Sequence, residues 1–177
     1  GALRLVSAEC ARLGIKRPLI VTDKGIRASG LLDRLKDTLD AALGFHVYDD
    51  TPANPTEAAA LQALDAYRAA NADGIIAMGG GSSLDLGKAV ALLATHAGPL
   101  VQYAAVEGGG PRITSAVAPL IAIPTTAGTG SEATPNAIVA VPEQELKVGI
   151  VSDAMIADNV LLDPLMIKNL PRKIAAA

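Results

Sequence analysis

Tryptophan is absent from this 177-residue sequence, and one phenylalanine and three tyrosines are the only large rings beside an apolar content of 50%. A core without rings has to be filled by Ala, Val, Leu and Ile, as in sheets sandwiched between Ala-rich helices. Cys10 is the single cysteine, which excludes an internal disulfide. No apolar run approaches the roughly 18 residues that a membrane-crossing helix needs. An excess of positive charge is lacking as well: 15 Lys and Arg stand against 18 Asp and Glu, for a net charge of -3. Scattered basic residues make no basic face, so nucleic acid is not an expected partner, and neither is a membrane. The chain opens without a basic leader and apolar stretch, and both of its ends read as cuts. A reducing, cytoplasmic setting is the expectation.

What the sequence does have is alternation. Leu3, Val6, Cys10 and Leu13 recur at helical spacing and stop at Gly14, and Pro18-Leu19-Ile20-Val21-Thr22 follows as a strand-type run. The pattern repeats with a helix over 31–43 closed by Gly44, a strand over 45–48, a helix over 56–70 and a strand over 74–78. Alternating strands and helices need crossover connections, which predicts an α/β fold with a Rossmann-like parallel sheet and helices on both faces. A further helix opens near Ser82, and Leu120-Ile121-Ala122-Ile123 reads as another strand, closed by Pro124. Asn136–Val141 and Leu146–Val151 flank the turn-like residues 142–145 and predict a small β flap. A short strand closes at Leu161-Leu162-Asp163-Pro164, and Leu170-Pro171 begins a helical segment. One domain over residues 1–177 is expected.

The strongest local signal is Gly79-Gly80-Gly81-Ser82, set where a strand turns into a helix. There the first helical turn leaves backbone N–H groups without partners and the helix dipole favours negative charge, so glycines let a phosphate come close. The alternative is a tight turn capped by Ser82 that binds nothing. The spacing is not that of the standard GxGxxG fingerprint. A second loop, Pro124-Thr125-Thr126-Ala127-Gly128-Thr129-Gly130-Ser131-Glu132-Ala133-Thr134, also follows a buried strand and is rich in hydroxyls, with Ser131 or Glu132 as a possible helix start. Two such loops at strand carboxyl ends fit the crevice in which open α/β sheets bind ligands. Asp85 and Lys88, three apart, share a helix face and read as a local ion pair, with Asp85 also placed to orient loop groups. His46 and His96 lack partners at metal-ligand spacing, and Cys10 lies on an apolar stripe; all three read as structural.

The ordered blocks Leu19-Ile20-Val21-Thr22-Asp23, Asn54-Pro55-Thr56, Gly79-Gly80-Gly81-Ser82 with Asp85 and Lys88, and Pro124 to Glu132 resemble the iron-containing (group III) alcohol dehydrogenases. The resemblance extends through Asp163-Pro164 and Leu170-Pro171 and implies the NAD-binding domain of a two-domain enzyme. It places Asp23 on the adenosine ribose hydroxyls, where its charge favours NAD over NADP, and Asn54 on the adenine side. Gly80, Gly81 and Ser82 would cradle the pyrophosphate, and Thr125, Thr126 and Thr129 would follow along the ribose and nicotinamide side. Thr134, Asn136 and Lys147 match family positions in the flap, with Lys147 reaching the nicotinamide-ribose hydroxyls. The family's divalent metal, iron or zinc, is held by an aspartate and histidines of an all-helical domain absent from this sequence, the first ligand falling shortly after Ala177. This chain is thus expected to carry neither catalytic nor metal-ligating residues and to be inactive alone. The whole enzyme would transfer a hydride between NAD and a small alcohol or its aldehyde or ketone, as a homo-oligomer.

Two features depart from the family pattern. Ala157 stands where a proline is usual, and the strand that normally precedes Gly1 is lacking, which predicts an unpaired sheet edge. Two other readings remain: a stand-alone nucleotide-binding module, and a lyase of the dehydroquinate synthase type. The lyase would need a different loop from Thr129-Gly130-Ser131-Glu132.

Overall fold

The computed structural model describes residues 1–141, 146–168 and 170. Strands β1 (Pro18–Val21), β3 (Gly74–Gly79) and β4 (Leu120–Pro124) are buried at every position. Continuous apolar runs of this kind suit the centre of a sheet covered on both faces. With β2 (His46–Tyr48) and β7 (Asn159–Val160) at the edges they form one sheet in the order β2-β1-β3-β4-β7, every pair parallel.

Alternation along the strands divides the core in two. Ile20, Ile76, Met78, Ile121 and Ile123 face α1 (Val6–Leu13), α3 (Leu31–Lys36) and α6 (Pro164–Ile167) through Val6, Cys10, Leu32, Leu35 and Met166. Leu19, Val21, Ile75, Ala77 and Ala122 face the opposite layer, built by α4 (Glu57–Ala69) and α5 (Gly81–Leu93). The antiparallel hairpin of β5 (Asn136–Val141) and β6 (Leu146–Val151) adds Ala137, Val139, Val148 and Ile150 to that layer. The α/β class, the two helical faces and the β flap are as expected; the flap's turn, 142–145, and Pro171 lie outside the described residues.

Some local expectations change. The helix expected over 31–43 ends at Lys36, after which N–H groups of Leu39 and Leu43 bond the carbonyls of Lys36 and Asp40 at 3.1 and 2.9 Å in successive turns. Leu39 and Leu43 still pack on the core, so their helical spacing is satisfied without a helix. Ser131 begins a turn rather than a helix, and the short strand near 161 is Asn159–Val160. A further helix, α2 (Lys24–Ala28), is too short to show periodicity.

Cys10 is buried, and burial pushes its thiol up to about 11, with Asp73 and Glu9 adding to the effect. It is a core residue and not a thiolate nucleophile. His96 closes the loop after α5: its Nε2 accepts from the Thr114 N–H at 3.0 Å. No helix among the described residues is long and apolar enough to cross a membrane.

Candidate functional site

The chain runs from β1 outward to β2 and returns past β1 to β3, so the connections leave the sheet on opposite sides between β1 and β3. A crevice opens outside the strand carboxyl ends at such a reversal. Here it is a cleft of about 640 Å³. Asp23 after β1, Gly80, Gly81 and Ser82 after β3, and Thr125 and Thr126 after β4 all line it. Ile26, Leu31 and Met166 supply an apolar wall, and Thr51-Pro52-Ala53 close another side. A volume in this range suits a small-molecule ligand. The walls other than the named motifs have no local sequence signal, because they come from three separate connections.

The glycine turn has a specific geometry. Gly80 is the N-cap of α5 and no side chain caps the helix. Ser82, the expected cap, instead donates its Oγ hydrogen to the Ala53 carbonyl at 2.5 Å. The first-turn amides are therefore left to the cleft, at the positive end of a helix that is otherwise packed inside the domain. A Cβ added at Gly80 would lie 3.3 Å from Thr126 Oγ1, and one at Gly81 would lie 3.3 Å from Ser131 Oγ. Both glycines thus look across a narrow gap at the hydroxyl loop. On the far side, Thr125 Oγ1 and Thr126 Oγ1 are buried and have no hydrogen-bond partner. A buried polar atom left unpaired costs about 1–3 kcal/mol, so two at one place mark a site where a polar ligand completes the structure.

Asp23 does two things at once. As the N-cap of α2 it accepts from the Ile26 N–H at 2.9 Å through Oδ1, and its Oδ2 accepts from Ser83 Oγ at 3.1 Å. The carboxylate is locked in place at the cleft wall, with acceptor positions remaining on both oxygens. Lys24, beside it, pairs with Asp50 at 2.6 Å, and Arg27 pairs with Asp49.

A smaller hollow of about 180 Å³ continues from the glycine turn, sharing Gly81 and Ser82 and adding Asn54 and Lys147 to its lining. Thr129 is exposed beside Gly81 and donates to Glu132 Oε2 at 3.3 Å. Thr134 and Asn136 line neither hollow. Their carbonyls accept from Lys88 Nζ at 2.5 and 3.0 Å. This corrects the reading of Lys88 as half of a local ion pair, since it is spent on the flap, while Asp85 reaches the hydroxyl loop at Ser131 as expected; both are buried, at 7% and 1% exposure for Asp85 and Lys88. Asp85 lies close to the Ile138 N–H and the Ser131 hydroxyl, and both favour its charged form. Helix α5 is buried from Ser83 to Leu93, and apart from Asp85 and Lys88 its residues from Leu84 on are uncharged and mostly apolar, which is the sequence signal that a charge within it needs a partner from another element. Among the described residues no group of three or more His, Cys, Asp or Glu side chains could hold a metal ion.

Known proteins share the sequence and the fold. The family model described as iron-containing alcohol dehydrogenase matches residues 1–164. The chain is 48% identical, over its whole length, to 46% of the 4-hydroxybutyrate dehydrogenase of Cupriavidus necator. It is 35% identical, over 99% of its length, to 45% of the 1,3-propanediol dehydrogenase of Klebsiella pneumoniae. Among solved structures, a 1,3-propanediol oxidoreductase superposes with a TM-score of 0.92 at 34% identity, covering 98% of this chain and 45% of that one. The sulfoacetaldehyde reductase of Bifidobacterium kashiwanohense, solved in complex with NAD+, superposes with a TM-score of 0.88 at 30% identity, with the same coverage. The chain spans a little under half the length of these relatives. Fold, motifs and relatives converge: the chain belongs to the iron-containing alcohol dehydrogenase family of oxidoreductases.

Proposed function

We propose that this chain is the NAD-binding domain of a metal-assisted dehydrogenase that moves a hydride between NAD and a small alcohol or its aldehyde or ketone. The observation that carries the reading is the uncapped N-terminus of α5, which faces two partnerless threonine hydroxyls across the cleft. That arrangement fits a diphosphate: amides at the positive helix end meet one side of it and hydroxyls the other. Asp23 would accept from the adenosine ribose hydroxyls, and the Ile26, Leu31 and Met166 wall would cover the base and exclude water. Lys147, in the smaller hollow, would orient the nicotinamide half, while Asn54, which the family resemblance sets on the adenine side, lines the same hollow from the Asn54-Pro55-Thr56 turn. NAD, when bound, supplies the hydride acceptor. The family's metal finds no ligand set among the described residues. Its ligands would belong to residues outside them.

Calorimetric titration tests the reading. NAD should bind saturably, and Gly81→Val, whose side chain would project into the gap beside Thr129 and Ser131, should weaken it by tenfold or more. Unchanged affinity in that variant, or no binding of NAD by the parent chain, would overturn the assignment of the cradle. The same reading expects no NADH when the 177-residue chain is mixed with NAD, a small alcohol or diol, and ferrous or zinc ion. Clear turnover would show that the chain carries its own chemistry.

A further inference from the structure

Two buried charges, Asp85 and Lys88, are spent at the outer edge of β5. Backbone groups of residues two apart in a strand point to the same edge. Along this edge the carbonyls of Thr134 and Asn136 accept from Lys88, the Ile138 N–H lies close to the Asp85 carboxylate and favours its charged form, and the Ala140 N–H donates to the Pro55 carbonyl at 2.7 Å. An edge strand that would otherwise carry unpaired groups is thereby sealed against α5 and the Asn54-Pro55-Thr56 turn. The chemistry is complementary: a lysine offers donors only and meets carbonyls, while a carboxylate offers acceptors only and meets an N–H and a hydroxyl.

The location is costly. Lys88 is 1% exposed in a helix whose neighbours Leu84, Leu86, Val90 and Leu92 are all buried. Burial pushes the ammonium down from its ordinary range and the Asp85 carboxyl up. An apolar side chain would fill the space without that cost, but it could not fix the direction of two carbonyls. Gly81 stands one turn before Asp85, and Lys88 almost a turn further on, so a single rigid helix carries both the phosphate cradle and the grip on the hairpin. Between them lies the smaller hollow, with Gly81, Ser82 and Asp85 on one wall and Ile138, Ala140 and Lys147 on the other.

We infer that Lys88 and Asp85 are positioning residues: they clamp the β5–β6 hairpin to the cradle helix and so set the reach from the pyrophosphate site to Lys147. The inference rests on the NAD-binding reading and assigns the clamp to the nicotinamide half of the dinucleotide. The adenosine half would lie on the other side of the cradle, against Asp23 and the Ile26, Leu31 and Met166 wall.

The test compares NAD with ADP, which lacks the nicotinamide half, by titration of the parent chain, Lys88→Met and Asp85→Asn. The clamp predicts NAD affinity lowered five- to tenfold in Lys88→Met with ADP affinity held within twofold, and faster amide hydrogen exchange over 136–141. Equal losses for both ligands would mean a general loss of structure and overturn the inference, and so would unchanged affinity for both. If Lys88→Met does not fold, Asp85→Asn, which keeps the size of the side chain and removes its charge, is judged by the same split. A parent chain that binds ADP and NAD equally well overturns the clamp's role while leaving the cradle intact. A parent that binds neither overturns the NAD-binding reading itself, and the inference with it.

Discussion

Replacing Gly87 by valine is expected to lower the stability of the domain by about 3 kcal/mol or more, the upper part of the range for overpacking a close-packed interior. A Cβ at this position would lie 2.5 Å from Ala77 Cβ, with Ile75 Cγ2 close behind, so α5 could keep its helix only by lifting off β3. For a domain of this size the loss corresponds to a fall of roughly 6–12 °C in the thermal midpoint. Alanine gives a sharper test because its helix propensity favours it over glycine by about 1 kcal/mol. If the close approach governs, Gly87→Ala is destabilising despite that gain, and Ala77→Gly in the same chain recovers part of the loss. A Gly87→Ala midpoint at or above the parent's would show that the contact is not tight. The approach matters for function because it brings the N-terminus of α5 down onto the end of β3, where Gly80 and Gly81 form one wall of the cleft.

The layers of this fold are written in local patterns, and those were legible. Buried runs such as Leu120-Ile121-Ala122-Ile123 suit central strands, and the two β-rich runs around 142–145 suit a hairpin at that spacing, as the pairing shows. The glycine turn between β3 and α5 was legible for the same reason. What stayed hidden depends on distant chain. The Leu39 and Leu43 spacing is helical, yet residues after Lys36 turn because packing and not periodicity places them. Lys88 looked like the partner of Asp85 because a helix face is the only geometry a sequence shows. Its real partners lie 46 and 48 residues further on, and they are backbone carbonyls that carry no residue-type signal at all. The resemblance to the family placed Thr134 and Asn136 at the flap, and the structure shows that their main chain is what the helix grips.

The coenzyme preference should turn on Asp23. A 2′-phosphate carries roughly 1.5–2 negative charges at neutral pH, and at about 5 Å from a carboxylate in an effective dielectric near 20 the repulsion amounts to a few kcal/mol before solvent screening. Asp23 is half-buried and the cleft is open, so screening removes part of this, and a ten- to hundredfold preference for NAD over NADP remains as the expected effect, about 1.4–2.8 kcal/mol. The choice of variant matters because the same carboxylate caps α2 on Ile26 and accepts from Ser83. Asp23→Gly removes charge and cap together, and loss of a cap alone costs about 1 kcal/mol. Asp23→Asn keeps an acceptor for the Ile26 N–H and removes only the charge. If the carboxylate discriminates electrostatically, Asp23→Asn binds NADP at least tenfold tighter than the parent does, while its affinity for NAD falls only modestly through the weaker ribose hydrogen bonds. The gain should shrink as salt is raised, since it is Coulombic in origin. An unchanged ratio in Asp23→Asn, with the cap intact, would confine Asp23 to holding α2 and Ser83 in place and would move coenzyme selection to the neighbouring Lys24 and Asp50 pair at the mouth of the cleft.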